Sequence, residues 1–183
     1  MMKEDAADAQ GGADSAQGSA SSAQGSASRR YVSFILGTGR YCVPVDQVMQ
    51  IIRPQGILSV PKAAPFVPGV INLRGDVIPV VSLRARLGIG DAQAAGGTAG
   101  NVASRARIII IKMGSRVCGL MVDDVREIVD ISEASVQRDS DQVPGAHAQF
   151  TGGVAQRDGT LFLILDLQRV LSAGRDLQGA GQV

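Results

Sequence analysis

The second half of this chain repeats the first, and this duplication restricts the possible folds more than any other feature of the sequence. The segment Phe66–Leu83 aligns without a gap on Phe150–Leu167, at an offset of 84 residues. An upstream segment recurs after one slip in the alignment, and its matching residues are Arg40, Cys42, Asp46, Val48 and Ile51 in the first copy and Arg116, Cys118, Asp123, Val125 and Ile128 in the second. A repeat of roughly 65 residues is too long for a solenoid unit. The chain therefore predicts two related subdomains.

Short turns divide each half into β-strand patterns. In the first half Gly37–Gly39 and Arg74–Asp76 each separate two β-rich runs, and Gly114–Ser115 and Asp158–Gly159 do the same in the second half. The run Ile108–Ile111 is apolar at every position, so we expect a sheet that is covered on both faces. Closed barrels meet this requirement and leave no exposed strand edges. The sequence predicts a mainly all-β fold of two small barrels that share a groove.

Two short helical turns and one proline add detail to this fold. We expect helical turns at Asp46–Ile51, with Asp46 as the N-cap, and at Leu83–Leu87. Pro79 has no N–H to donate to a neighbouring strand, so it should lie at a sheet edge or at a bulge.

Three segments are expected to lie outside the folded part. Residues 1–28 are almost entirely Ala, Gly, Ser, Gln and Asp and contain a repeated Ser-Ala-Gln-Gly-Ser-Ala-Ser unit, which predicts a disordered tail. Residues 91–104 have the same character and predict a linker, and residues 172–183 predict a flexible C-terminal tail. The folded domain is expected to span 29–171 and to contain two intertwined barrel subdomains.

Composition excludes several functional classes. Lys and Arg total 18 and Asp and Glu total 17, a formal net charge of +1, which argues against a nucleic-acid binder. No apolar stretch approaches the ~20 residues that span a bilayer, and the acidic start of the chain predicts no secretory signal. Two cysteines do not make a disulfide framework. We expect a soluble, cytoplasmic protein that does not insert into the membrane.

No residue pattern indicates catalysis, a metal site or a cofactor site. His147 is the single histidine, which leaves no zinc pattern and no general base near a serine. Cys42 and Cys118 lack metal-binding spacing and are interpreted as buried small hydrophobic residues. Gly37-x-Gly39 is interpreted as a turn, and the pair Asp123-Asp124 is explained at least as well by capping as by catalysis. We predict no enzymatic activity, no cofactor and no metal.

The segment Val67–Leu83, Val-Pro-Gly-Val-Ile-Asn-Leu-Arg-Gly-Asp-Val-Ile-Pro-Val-Val-Ser-Leu, strongly resembles the signature of the CheW-like family of bacterial chemotaxis coupling proteins. Flanking features agree in order, among them the Val48-x-x-Ile51 segment and the Asp158-Gly159 turn, and the likeness covers about 30–171. Where the family often has Glu, this chain has Gln50, so a charge contact at that position would be weakened to a hydrogen bond.

The resemblance implies two tandem five-stranded SH3-like barrels and a non-enzymatic adaptor that couples transmembrane chemoreceptors to the histidine kinase CheA. Its implied partners are the regulatory domain of CheA, the cytoplasmic tip of methyl-accepting chemotaxis receptors, and further copies of the coupling protein. Receptor arrays would hold such an adaptor at the cytoplasmic side of the inner membrane. A coupling protein of another chemosensory pathway, serving surface motility or gene regulation, would show the same sequence pattern.

The resemblance also implies a receptor-binding groove. Its predicted residues are Val32, Val45, Val48, Ile51, Asn72, Arg74 and Val122. Two simpler explanations stay open: Arg74 serves only as a polar residue beside a turn glycine, and the aliphatic residues only fill a barrel core. The guanidinium of Arg74 could instead fork onto carbonyls or a carboxylate of an incoming helix, and an apolar wall could receive that helix.

A small-ligand protein built on tandem barrels is the alternative from another class. It predicts a deep polar pocket lined by ionisable groups. A nucleic-acid-binding role would require clustered cations and aromatic side chains, and both are lacking in this sequence.

Overall fold

The computed structural model describes residues 27–90, 104–138 and 145–172. Most of the predicted tails and of the predicted linker lie outside these described residues. The strands are β1 (Ser28–Leu36), β2 (Gly39–Pro44), β3 (Val48–Ile52), β4 (Gly69–Leu73), β5 (Asp76–Ser82), β6 (Arg107–Met113), β7 (Arg116–Val122), β8 (Asp124–Ser132), β9 (Val136–Gln137), β10 (Thr151–Arg157) and β11 (Thr160–Leu165). The helices are α1 (Leu83–Leu87) and α2 (Leu167–Ser172), with 3-10 turns at Val45–Gln47, Glu133–Ser135 and Gly145–Phe150.

These strands form two sheets, one with the order β8-β1-β2-β11-β10-β9 and one with the order β3-β6-β7-β5-β4. The predicted mainly β fold of two barrels with short helices is confirmed. The first sheet has six strands instead of the expected five, because the two-residue strand β9 pairs with β10 at its edge.

Each repeat divides its strands between the two sheets. The six-stranded sheet contains β1 and β2 from the first repeat and β8–β11 from the second, whereas the five-stranded sheet contains β3–β5 and β6–β7. The third strand of each repeat pairs with the first strand of the other, β3 with β6 and β8 with β1. Because each sheet needs strands from both repeats, neither repeat completes a sheet alone.

The strand register corrects one part of the sequence alignment. Cys42 lies beside Ile164 of β11, and Gly119 lies beside Val80 of β5, which is the repeat equivalent of Ile164. Cys42 is therefore equivalent to Gly119, and its alignment with Cys118 was wrong by one residue. The alignment had matched the two cysteines because they are identical, at an offset of 76 residues. The strand pairing shows that the offset of 77 residues, which holds from position 46 onward, also holds at Cys42.

The predicted helix at Asp46–Ile51 was wrong, whereas the one at Leu83–Leu87 is confirmed. In this segment the helical part is limited to one 3-10 turn, Val45–Gln47. The N-cap of this turn is Pro44, which makes no side-chain hydrogen bond. From Val48 onward the chain forms β3. The pairing of β3 with the isoleucines of β6 supplies hydrogen bonds that outweigh the weak local helical signal.

Pro79 lies where β5 has a single neighbour. It pairs with Val70 of β4, and the pairing of β5 with β7 begins only at Val80. The missing N–H of the proline therefore does not interrupt hydrogen bonding to β7.

The hydrophobic core has three parts. Ile108 and Ile110 belong to a cluster within the five-stranded sheet, whereas Ile109 and Ile111 belong to a larger cluster shared by both sheets. The third cluster, which includes Cys42, lies within the six-stranded sheet. Strand β6 is thus buried on both faces, as its unbroken apolar run predicts, and each such isoleucine side chain stabilises the fold by roughly 1.5–3 kcal/mol.

Arg86 joins the two repeats between α1 and α2. Its guanidinium carbon lies 4.5 Å from the ring centroid of Phe66 and 4.6 Å from that of Phe150, which are repeat-equivalent residues. The guanidinium also donates hydrogen bonds to the carbonyl oxygens of Val170 (2.8 Å) and Arg169 (3.3 Å) near the end of α2. Burial lowers the pKa of this guanidinium. Cation–π contacts and a helix-end cap thus meet in one side chain.

A salt bridge makes another contact between distant parts of the chain. We call its three residues, Gly37, Arg84 and Asp123, the clamp. Arg84 donates from Nε and Nη2 to the two carboxylate oxygens of Asp123, each at 2.7 Å, and the N–H of Gly37 donates to Oδ2 of Asp123 at 2.7 Å. The side chains of Arg84 and Asp123 are only 17% and 14% exposed. Bidentate geometry with little solvent makes this a strong ion pair.

Candidate functional site

The β4–β5 turn places Arg74 in an unfavourable backbone conformation. Arg74 has φ of 56° and Gly75 has φ of 98°, so both central residues of the two-residue turn are left-handed. A left-handed conformation costs a residue other than glycine roughly 1 kcal/mol. The Oδ1 atom of Asn72 accepts a hydrogen bond from the N–H of Gly75 at 3.0 Å. Asn72 thus supports the turn, and Arg74 is exposed at its tip.

A cavity of about 660 Å³ lies next to this turn, and we call it the Arg74 cavity. Its walls include Met49, Gln50, Arg74, Asp76, Val77 and Ile110. Met49 and Val77 are large apolar side chains that are 58% and 54% exposed. Every lining residue belongs to the five-stranded sheet or to its turns. The Arg74 cavity is therefore a feature of one sheet and does not lie at the seam between the two.

The predicted groove valines lie in or against the shared core. Val32 and Val122 are 3% and 2% exposed and belong to the cluster that both sheets share. Val45 and Val48 are partly buried and pack against the same cluster. Of the predicted aliphatic residues, Ile51 is the exposed one, at 41%.

The structure thus divides the predicted site into two groups that meet at strand β3. The first group consists of the core-lining valines together with the exposed Ile51, and the second consists of Asn72 and Arg74 on the β4–β5 turn. β3 is an edge strand of the five-stranded sheet that carries Val48 and Ile51 and also supplies Met49 and Gln50 to the Arg74 cavity. A single partner that lies along β3 would contact Val48 and Ile51 on this strand and Arg74 on the turn.

Gln50 and Arg74 line the same cavity, but no hydrogen bond joins their side chains in the described part of the chain. The amide at position 50 carries no charge, so it does not hold the guanidinium against the sheet. Arg74 is therefore available to an acceptor on a partner.

Met49 and Val77 are surface residues that the sequence analysis did not single out. The signal that could have found Met49 is the run Val48–Ile52, in which every residue except Gln50 is apolar. Such a run at the edge of a sheet leaves some apolar side chains exposed. Val77 is the second residue of β5, near the turn, where burial is incomplete.

Neither cysteine is suited to thiolate chemistry. Burial raises the pKa of the Cys42 and Cys118 thiols to about 12, so both stay protonated near neutral pH. The interpretation of both residues as buried small hydrophobic residues is confirmed. His147 lies edge-on to Tyr41, with ring centroids 6.4 Å apart, and is partly buried.

No group of three or more potential metal ligands occurs among the residues that the structure describes. Within the same ranges, no helix is both long enough and apolar enough to span a membrane.

Comparison with known proteins places this fold in a family. A family profile described as "CheW-like domain" matches residues 30–175. The chain is 34% identical to "Chemotaxis protein CheW" of Rhizobium meliloti over 142 residues, which cover 78% of this chain and 86% of the relative. It is 28% identical to the protein of the same name from Helicobacter pylori over 145 residues, which cover 78% and 81% of the two chains.

A solved structure agrees with both matches. The crystal structure of the scaffolding protein TtCheW from Thermoanaerobacter tengcongensis superimposes with a TM-score of 0.68 at 28% identity and covers 78% of this chain and 87% of that one. The duplicated β-strand pattern, the two sheets and the Asn-Leu-Arg-Gly turn therefore have one explanation: this chain belongs to the CheW-like domain family.

Proposed function

We propose that this chain is a non-enzymatic adaptor that couples transmembrane chemoreceptors to the histidine kinase CheA in bacterial chemotaxis. The CheW-like family is a family of non-enzymatic scaffolds. The observation that carries the proposal is the exposed Arg74, which occupies a left-handed turn position beside an apolar cavity. Glycine or asparagine would adopt this left-handed turn position at lower cost than arginine does. The presence of arginine there indicates a role for its side chain.

The cytoplasmic tip of the receptor, a helical hairpin, is proposed to lie along β3. Its apolar face would cover Ile51 and Met49, which are exposed on this edge strand. Val45 and Val48, with Val32 and Val122 beneath them, would form the floor of the same groove. This arrangement is the helix-in-groove mode, in which spaced apolar anchors of a helix enter a preformed surface.

The guanidinium of Arg74 would bind an acceptor on the same helix. It lines the Arg74 cavity and makes no hydrogen bond or ion pair in the described part of the chain. A carboxylate or a helix C-terminal carbonyl fits its planar donor fork. The regulatory domain of CheA would bind a separate surface of the molecule, and receptor arrays would keep the complex at the inner membrane.

Pull-down of a purified receptor signalling fragment and of the purified CheA regulatory domain tests the proposal. The variant Arg74→Asn removes the guanidinium but puts a residue that favours the left-handed conformation at the turn, so the fold is retained. We expect receptor binding to weaken at least about ten-fold and CheA binding to stay unchanged.

The matched control is Asp158→Asn, which puts the same residue at the equivalent turn of the second repeat, where Asp158 has φ of 50°. Receptor binding that falls equally in both variants, or folded wild-type protein that binds neither partner, would refute the proposal.

The same assay decides between pathways. If this chain binds only the receptors and kinases that are encoded with a surface-motility or gene-regulation system, it belongs to that system instead. Ile51→Ser should weaken receptor binding in either case, and Leu161→Ser, which also removes an exposed aliphatic side chain from a strand, should not.

A further inference from the structure

A second cavity, of about 570 Å³, lies between the β6–β7 turn, the 3-10 turn Val45–Gln47 and helix α2. We call it the basic cleft. Its lining residues are Gln47, Lys112, Met113, Gly114, Arg116, Gln168, Leu171 and Ser172. The basic cleft and the Arg74 cavity share no lining residue.

The basic cleft is the repeat equivalent of the clamp. Gly114 corresponds to Gly37, since each is the first residue of a two-residue turn and each has φ of 60°. Gln168 corresponds to Arg84, because each is the second residue of its helix at the offset of 84. Where the clamp contains a salt bridge within the chain, the basic cleft is open.

The open cleft lacks its own carboxylate. In the clamp, Asp123 accepts hydrogen bonds from Gly37 and Arg84. Its equivalent in the other repeat, Asp46, accepts hydrogen bonds on both oxygens from Arg29, at 2.9 and 3.0 Å, and does not line the cleft. No carboxylate accepts a hydrogen bond from Gly114 in the described ranges.

Positive charge surrounds the place where that carboxylate would lie. Lys112 and Arg116 are exposed, and neither has an ion-pair partner within the described ranges, whereas the exposed Arg138 is paired with Glu133. No Asp or Glu lines the cleft, and the amides of Gln47 and Gln168 add further donors. Charge complementarity therefore favours an anionic occupant.

We propose that the basic cleft binds an acidic segment of a protein partner, with one carboxylate in the position that Asp123 occupies in the clamp. Lys112 and Arg116 neutralise the carboxylates of the segment, and the N–H of Gly114 donates to one of them. Met113, which faces the same side as its cross-strand partner Arg116, and Leu171 contact aliphatic side chains of the segment. The cleft has no aromatic side chain on which a nucleic-acid base would stack.

Fluorescence anisotropy with the full-length protein tests this inference. The probe is a fluorescein-labelled peptide, Glu-Leu-Glu-Glu-Leu-Glu, and its neutral counterpart has Gln in place of each Glu. We expect the acidic peptide to bind at least about ten-fold more tightly than the neutral one at low salt, and the difference to shrink at high salt. The double variant Lys112→Gln/Arg116→Gln should lose most of this preference.

The control variant Arg53→Gln/Lys62→Gln removes the same number of charges from exposed positions outside the cleft, and it should bind like the wild type. Equal binding of both peptides by the wild type, or equal losses in the two double variants, would overturn the inference. A variant shortened to begin at Ala27 tests one other occupant, the N-terminal segment of the chain itself. If this variant binds the acidic peptide more than ten-fold more tightly than the full-length protein does, that segment occupies the cleft and the inference is overturned.

Discussion

The clamp and the basic cleft occupy equivalent places in the two repeats, yet one is closed by an ion pair and the other is open to solvent. The glycine turn and the short helix are common to both sites. Only the side chains differ: Arg84 and Asp123 bind each other, whereas Gln168 lacks charge and Asp46 binds Arg29 instead. Duplication thus preserved the backbone geometry, and a change of side chains turned a structural contact at one site into an available surface at the other.

The same pattern recurs at other equivalent positions. Ser82 and Asp166 both cap their helices, by accepting the N–H of the residue three positions later. At the turns, however, the first repeat presents Arg74 and the second presents Asp158, although both residues are left-handed. The caps hold the fold and are conserved between repeats, whereas the exposed residues have diverged. Residues that differ between otherwise equivalent sites are therefore the best candidates for partner contacts.

The largest expected effect comes from separating the repeats. A fragment of residues 27–90 retains β1–β5 but lacks β6 and β7, which lie between β3 and β5 in the five-stranded sheet. We expect this fragment to show no cooperative unfolding transition in urea, monitored by circular dichroism, because its strands lack their partners. Mixing it with a fragment of residues 104–172 should restore the transition. A cooperative transition of the first fragment alone would contradict the division of strands between sheets.

The next effect compares the two equivalent aspartates. Asp123→Ala should lower the free energy of unfolding by about 3 kcal/mol, because it removes three hydrogen bonds and leaves Arg84 partly buried without its carboxylate. Asp46→Ala should cost less than about 1 kcal/mol, because its pair with Arg29 is exposed. Urea denaturation of both variants measures the difference, and similar losses would contradict the predicted contrast between the buried and the exposed ion pair.

A smaller effect is expected at the equivalent pair Cys42 and Gly119. A Cβ atom at Gly119 would lie 2.6 Å from Cγ2 of the fully buried Ile108. Gly119→Cys should therefore destabilise the fold by about 1–3 kcal/mol through overpacking, although cysteine is accommodated at position 42. Cys42→Ala is the control and should cost about 1 kcal/mol. Wild-type stability of Gly119→Cys would contradict the overpacking and show that Ile108 can move to make room for the new side chain.

The last prediction concerns pH. Burial raises the pKa of both thiols from near 9 to about 12. Below pH 9 the thiols are protonated in the folded and the unfolded chain, so this contribution to stability is fully present. Between pH 9 and 12 only the unfolded chain loses protons, which favours unfolding by about 1.4 kcal/mol per thiol for each pH unit. The free energy of unfolding should fall from pH 8 to pH 10, and Cys42→Ala should show a smaller fall; an equal fall in the variant would assign the effect to other groups.

Local features of the fold could be predicted from the sequence, whereas the long-range pairing could not. Each hairpin turn carries glycine between two β-rich runs, so neighbouring strands were identified correctly. The pairing of β3 with β6 joins segments that are distant in the sequence, and the two repeats have similar hydrophobic patterns. Either choice of partners satisfies such a pattern, so the sequence does not determine which strands are exchanged.

The candidate site was predictable in its parts but not in its arrangement. The resemblance indicated Arg74, and the structure adds the left-handed turn and the cavity beside it. Burial of Val32 and Val122 depends on packing between the sheets, which the spacing of valines along a strand does not reveal. The position of Arg86 between Phe66 and Phe150 likewise depends on how α1 and α2 approach each other.

The division of strands between the sheets also sets an order of assembly during synthesis on the ribosome. The five-stranded sheet has all its strands once Val122 has been translated, whereas β2 pairs with β11, which ends at Leu165. At 5–20 residues per second, the nascent β1–β2 hairpin waits roughly 6–24 seconds for that neighbour. During this interval its apolar residues, among them Phe34 and Val43, are without their final cover, so the first hairpin to be made is among the last to be enclosed.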